Sequence, residues 1–160
     1  TPIGPKARNL NKKFEFNEGE FNQLTYWMNR QIIDDYPLEI VSPVDWTDDS
    51  QNINDRVRSY LDVNCGHCHS PTGNANSTGL YLHLDETRDI HLGLYKKPVA
   101  TGRGSGGLKY SIVPGKPDES ILLHRMISLD PGVMMPESGR ALSHTEAVEM
   151  VREWILVMED

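Results

Sequence analysis

Cysteine is scarce in this sequence: the 160 residues include two, Cys65 and Cys68. A disulfide between residues so close would close a tiny loop and constrain little of the unfolded chain. A disulfide-built scaffold is therefore excluded, and the pair reads as a site. Long apolar runs are missing too, since no stretch approaches the roughly 20 residues that span a bilayer as a helix. Basic residues are outnumbered, 16 Lys and Arg against 23 Asp and Glu, for a net charge of −7. That balance argues against nucleic acid or anionic lipid as the main partner and is compatible with a basic or neutral protein. Aromatic residues make up only 8% and hydrophobic residues 38%, so the chain falls in the ordinary globular class. Its length fits one domain, or one domain with an appendage. The opening Thr1-Pro2-Ile3 has neither a Met nor a signal peptide, as expected of a processed product or an excised segment.

What is present divides into periodic and aperiodic stretches. Residues 1–18 are polar and broken by Pro and Gly, which predicts an arm. Over residues 19–36, Phe21, Leu24, Trp27, Met28, Ile32 and Ile33 recur near helical spacing and predict an amphipathic helix. Pro37, Pro43 and Asp48-Asp49 mark a linker. A second helix is predicted from Ile53 to Asn64, with Val57, Tyr60 and Leu61 on one face. Residues 70–116 are rich in Gly, Ser, Thr, Asn and Pro and predict loops with one or two short strands. Pro117-Asp118-Glu119 suits a helix start and predicts a helix to Ser128, followed by a loop over 129–142. Ser143 with Glu146 three residues on has the pattern of a capping box. It opens a last helix with Val148, Val151, Ile155 and Met158 along its apolar stripe.

The second predicted helix runs directly into Cys65-Gly66-His67-Cys68-His69. This C-x-x-C-H spacing is the attachment signature of c-type haem. Two thiols add across the two vinyl groups of the porphyrin, the two-residue spacer sets their separation, and the next histidine can bind iron. Two other chemistries compete. A zinc site wants four ligands, which His67, His69, His83 or His91 could complete, but no second C-x-x-C is present. A thioredoxin-like pair wants a βαβ setting. Metal-bound imidazoles also need a carbonyl to fix their tautomer, and the turn at Pro71 is a candidate source for His69. Downstream lies Met134-Met135-Pro136, then the C-terminal helix bearing Trp154.

This order of helix, C-x-x-C-H, loop, Met-Pro and C-terminal helix resembles class I cytochrome c. The runs RSYLDVNCGHCHSP, YSIVPGKPDESILLHRM and DPGVMMPESGR resemble still more closely the C-terminal region of a family of exported bacterial c-type cytochromes, usually described as dihaem. ARNLN and NQLTYW near the start share the likeness, which covers roughly residues 7–158. The resemblance implies an all-α cytochrome c fold, with an N-terminal helical extension over 1–49 packed on a monohaem domain over 50–160. It also implies one covalent haem c on Cys65 and Cys68, with His69 as proximal and Met135 as distal iron ligand. Met135 is favoured over Met134 because the ligand methionine of such proteins precedes proline. The implied function is electron transfer with protein partners, other exported redox proteins, in the periplasm or otherwise outside the cytoplasm. With iron six-coordinate, the domain is expected not to be an enzyme. The alternative is a haem domain of a larger, peroxidase-like dihaem enzyme. The chain departs from the family in having a single C-x-x-C-H.

Other features carry less. Gly102-Arg103-Gly104-Ser105-Gly106-Gly107 fits G-x-G-x-x-G but follows no strand and opens no helix, so it reads as a loop. Arg103, Arg125 and Arg140 are each candidates to hold a haem propionate or to be plain surface arginines. His83, His91 and His124 are rivals to Met135 for the sixth position. Asn76-Ser77-Thr78 matches a glycosylation sequon that would need a different host compartment.

Overall fold

The computed structural model describes residues 6–159, so the first five residues of the predicted arm lie outside the described part. The chain forms two compact units, Thr1–Val44 and Asp45–Asp160.

The first unit holds α1 (Ala7–Leu10), an antiparallel hairpin of β1 (Lys13–Phe16) and β2 (Gly19–Asn22), and α2 (Gln23–Asn29). Lys13-Phe14-Glu15-Phe16 alternates polar and aromatic residues, the period of a strand. Gly19, at φ +122°, takes the turn conformation that a side chain would resist. Phe14 pairs with Phe21 across the hairpin, and Phe16 stacks on Tyr26 of α2 at 3.7 Å between ring centroids. Asn22 ends β2 and caps α2, its side chain accepting the Thr25 N–H at 3.1 Å.

The second unit is built on α3 (Ile53–Asn64), α4 (Asp89–Leu92), α5 (Ile121–Ile127) and α6 (Thr145–Leu156). Asn52 caps α3 by accepting the Asn54 N–H at 2.8 Å. Val57, Tyr60 and Leu61 then face one way, at the i, i+3, i+4 spacing of a single helix face. They meet Val148, Val151, Trp154 and Ile155 of α6 and Leu123 and Met126 of α5 in one buried cluster. Leu61 and Ile155 are fully buried, so truncating either to Ala would cost about 2–5 kcal/mol. The Trp154 indole N–H donates to the Asn54 side chain at 3.1 Å and fixes α6 against the start of α3.

The expected all-α fold of the class I cytochrome c type, with a helical N-terminal extension, does not hold. The described residues contain six α-helices and a two-stranded antiparallel sheet, and 36% are helical. β1 falls in the stretch predicted as an arm, β2 occupies the start of the stretch predicted as one helix over 19–36, and α2 is seven residues long. Between Cys65 and Ser120 the chain is held by loop hydrogen bonds and isolated bridges, Leu94 with Ile112 and Tyr110 with Ser120, instead of full strands. Gly, Pro and Asn are too frequent there for longer elements. The predicted helix over 117–128 splits: Pro117–Glu119 is a single 3-10 turn, Ser120 is extended, and α5 begins at Ile121. No helix among the described residues is long and apolar enough to cross a membrane.

Candidate functional site

Cys65 terminates α3, and the chain winds on for one further turn. The Cys65 and Gly66 N–H groups donate to the Leu61 carbonyl at 2.8 and 2.9 Å. Those of Cys68 and His69 donate to the Cys65 carbonyl at 3.1 and 2.9 Å. The helix thus hands its last carbonyls to the motif, and Cys65, Cys68 and His69 sit on one rigid turn. Two glycines permit the close packing. A Cβ on Gly66 would lie 2.8 Å from the Asp62 carbonyl oxygen and 3.1 Å from His83 Cα. One on Gly73 would lie 2.2 Å from the Cys68 carbonyl oxygen, so any side chain there would push the returning loop off the motif.

A buried polar frame in α3 supports this turn. Asp62 is fully buried, and its carboxylate accepts the Leu84 N–H at 3.1 Å. Arg58 donates to the carbonyls of His83, Leu84 and Glu86 at 2.9, 2.9 and 2.7 Å. Glu86 in turn accepts Arg88 through two bonds, at 2.8 and 2.7 Å, and the Arg88 guanidinium holds its carboxyl down at about 2. The segment 82–86 is therefore pinned to α3 and to the motif, where the Leu82 N–H donates to the His69 carbonyl at 2.8 Å. Sequence reading missed this frame. Its signal was available in Arg58 and Asp62, charged residues four apart in a helix that also carries Val57 and Leu61.

Both cysteines are free thiols. Burial, then the neighbouring Cys68 sulfur, pushes the Cys65 thiol up to about 12, opposite to the direction that a thiol–disulfide exchanger needs. Burial also lowers the His69 pKa, against a smaller opposing effect of the Leu80 backbone, so the ring is neutral at pH 7, the form that binds metal. Leu80, not the Pro71 turn, is thus the backbone that acts on this imidazole. The Nδ1 atoms of His67, His69 and His83 are each buried without a hydrogen-bond partner among the described residues.

The loop carrying Met135 folds back on the end of α5. The Val133 and Met134 N–H groups both donate to the Asp130 carbonyl at 2.8 Å, and the Met135 N–H donates to the Arg125 carbonyl at 3.0 Å. Arg140 donates to the Met126 and Ser128 carbonyls, and Arg103 forms a two-bond pair with Asp130, both bonds at 2.9 Å. Met134 is buried and Met135 half-buried. Among the charges acting on the His69 ring are Arg125 and Glu137, which flank the methionine segment.

No family model, curated protein or solved structure matches this chain.

The rival histidines are placed differently from one another. His91 hydrogen-bonds the Gly79 carbonyl at 3.0 Å and stacks on Tyr81 at 4.7 Å, which accounts for it structurally. His124 lies against Gly106, where a Cβ would come within 2.5 Å of its Nε2. His83 packs its backbone on Gly66 and keeps an unpartnered Nδ1. An aromatic cluster that sequence reading did not single out adjoins the motif. Tyr60 and His144 share a 3.0 Å hydrogen bond, and Trp46 packs edge-on against both, at 5.5 and 5.1 Å. Among the described residues no three His, Cys, Asp or Glu side chains gather into a metal-holding group. Two surface clefts, one beside Arg56 and Arg152 and the other beside Ile53 and Trp154, are not lined by the motif residues.

Proposed function

We propose that this chain transfers electrons through one haem c, held by thioether bonds from Cys65 and Cys68, with His69 and Met135 as the axial iron ligands. The observation that carries this reading is the turn Cys65–His69. It presents two free thiols and a neutral, half-buried imidazole with a buried, unpartnered Nδ1 on one short, hydrogen-bonded piece of backbone. A buried nitrogen left unpaired costs about 1–3 kcal/mol, which ligation would remove. A protonated Cys65 thiol with a raised pKa does not serve disulfide exchange, but it supplies the sulfur and proton that addition to a vinyl group needs.

When bound, a haem supplies a one-electron ferric/ferrous couple. The chain's own residues do the rest. Cys65 and Cys68 anchor and orient. His69 gives a neutral nitrogen donor from the motif side. Met135 gives a soft sulfur from a loop tethered to α5, and His/Met ligation favours ferrous iron relative to two imidazoles. Val57, Tyr60, Leu61, Met126 and Trp154 form an apolar wall next to the motif, which lowers the local dielectric. His83 is a weaker candidate for the sixth ligand, because its segment is pinned to the same stretch of chain as His69. The partners are other redox proteins. Assembly takes place outside the cytoplasm, with no nucleic acid involved.

An optical spectrum of the purified holo-protein in both oxidation states tests the reading. Electron carriage predicts low-spin, six-coordinate spectra in both states and no rapid binding of carbon monoxide. Fast carbon monoxide binding by the wild type would instead mean an open iron position and a substrate-binding haem.

A further inference from the structure

The hairpin of the first unit has an open edge. Its register sets Lys13 opposite Asn22, Phe14 opposite Phe21, Glu15 opposite Glu20 and Phe16 opposite Gly19. One step before, the Gln23 N–H donates to the Lys12 carbonyl at 3.0 Å, so Lys12 and Gln23 form a hydrogen-bonded pair. Bonded and non-bonded pairs alternate along an antiparallel ladder. Phe14 and Phe16 therefore bond to β2, and the N–H and C=O groups of Lys13 and Glu15 point away from it. Those groups have no backbone partner among the described residues. Such an edge is a template on which a further strand can add.

The two faces of the hairpin differ. Phe14, Phe16 and Phe21 share one face, where Phe16 stacks on Tyr26 while Phe14 and Phe21 stay 50% and 44% exposed. Lys13, Glu15 and Glu20 share the other. Lys13 pairs with Glu20 at 2.9 Å. Glu15 stands directly opposite Glu20, a like-charge pair that destabilises, and forms no ion pair of its own among the described residues. A two-stranded hairpin alone is marginal in water, and further strands sharing a hydrophobic face stabilise it.

Charge identifies the strand that fits this edge. When β1 pairs antiparallel with β1 of a second copy, the outward-facing residues Lys13 and Glu15 must meet each other, so the twofold axis passes through Lys13, Phe14 or Glu15. An axis at Lys13 opposes two lysines, and an axis at Glu15 opposes two glutamates. An axis at Phe14 sets each Lys13 against Glu15 of the second copy. It also brings the two Phe14 side chains together in a non-hydrogen-bonded pair, with Cα atoms about 4.5 Å apart. Glu15 then gains the cation it lacks, and the aromatic faces of the two hairpins become continuous. The outer edge of β2, Gly19-Glu20-Phe21-Asn22, contains no cation and offers no such match. We infer that the hairpin is a self-association surface, through which two copies of this chain join β1 to β1 about Phe14 into one antiparallel sheet. This inference does not depend on the haem.

Sedimentation of the full chain tests it, using wild type, Glu15→Lys and Lys13→Glu. The mass of wild type should rise with concentration towards twice the 18.1 kDa of one chain. Each single variant should dimerise at least about tenfold more weakly, because one sets lysine against lysine and the other glutamate against glutamate. An equimolar mixture of the two variants should recover the dimer, with one copy of each, since both cross-copy pairs again carry opposite charges. Glu15→Lys faces Glu20 within its own hairpin, so its fold is not put at risk. Should Lys13→Glu fail to fold, amide hydrogen exchange of wild type replaces the mixture: the Lys13 and Glu15 amides should be protected in the dimer and exchange freely on dilution. A wild type that stays monomeric throughout the micromolar range would overturn the proposal. So would a Glu15→Lys variant that dimerises as wild type does, a mixture of folded variants that stays monomeric, or Lys13 and Glu15 amides that exchange equally fast in both states.

Discussion

Replacing each of the paired methionines with alanine should separate packing from ligation. Met134 is 9% exposed, with its N–H tied to the Asp130 carbonyl, so its side chain belongs to the packed interior. Truncating a buried methionine costs about 2–5 kcal/mol, and a surface-loop site that can partly collapse belongs near the low end, about 2 kcal/mol. A chain of this size loses about 2–4 °C of melting temperature per kcal/mol, so Met134→Ala should melt roughly 4–8 °C lower. Its ferric spectrum should keep the weak far-red band that a methionine sulfur gives to haem iron. Met135 is half-buried, and adjacent residues on an extended segment point to opposite sides. Met135→Ala should therefore lose less packing but abolish that band, lower the reduction potential and open the iron to carbon monoxide or cyanide. Thermal melts followed by circular dichroism, together with absorption spectra, read both effects. The assignment is refuted if Met134→Ala loses the band while Met135→Ala keeps it. If His83→Ala alone loses six-coordination, His83 is the ligand.

Removing both thiols, in Cys65→Ala with Cys68→Ala, should leave residues 45–160 without a cooperative thermal transition, because the core would lack a large apolar cofactor; a wild-type-like melt in that variant would contradict this. Glu86 gives an acid-side signature. Its carboxyl is held near 2 by Arg88, below the ordinary 4.5, so the stability it contributes is present above about 4.5 and is lost as pH falls towards 2. Denaturant titrations across that window should show a steeper loss in wild type than in Glu86→Gln, and equal slopes would exclude the effect. Expressed in a bacterial cytoplasm without an export signal, the chain should accumulate colourless, and normal holo-protein from that expression would refute assembly outside the cytoplasm.

Much of the second unit was legible in the sequence. Helix α3 runs from Ile53 to Asn64 as its spacing predicts, because a capping asparagine, a clean apolar face and the start of the motif all mark the same limits. The last helix was legible as an element but not in its cap. It begins at Thr145, and Ser143 turns away to donate to the Met126 carbonyl at 3.3 Å, so no capping box forms. The hairpin spans stretches that read as arm and helix, although Phe14 and Phe16 stand two apart, the period of a strand. Trp27, Met28, Ile32 and Ile33 nearby imitate a longer helix that stops at Asn29. Ile32 is in fact 62% exposed. Within the site, the motif names its own residues, since thiols and imidazole are adjacent in sequence. The support from Asp62, Arg58 and Glu86 depends on contacts between residues more than 20 positions apart, which spacing does not reveal.

The most direct test of covalent haem on Cys65 and Cys68 is extraction of the holo-protein with acidified organic solvent. The colour should stay with the denatured chain, and the pyridine haemochrome of that chain should give one haem per polypeptide with both vinyl groups saturated. Haem that leaves with the solvent, or a chain that carries none after maturation in an exporting, haem-attaching host, would contradict it.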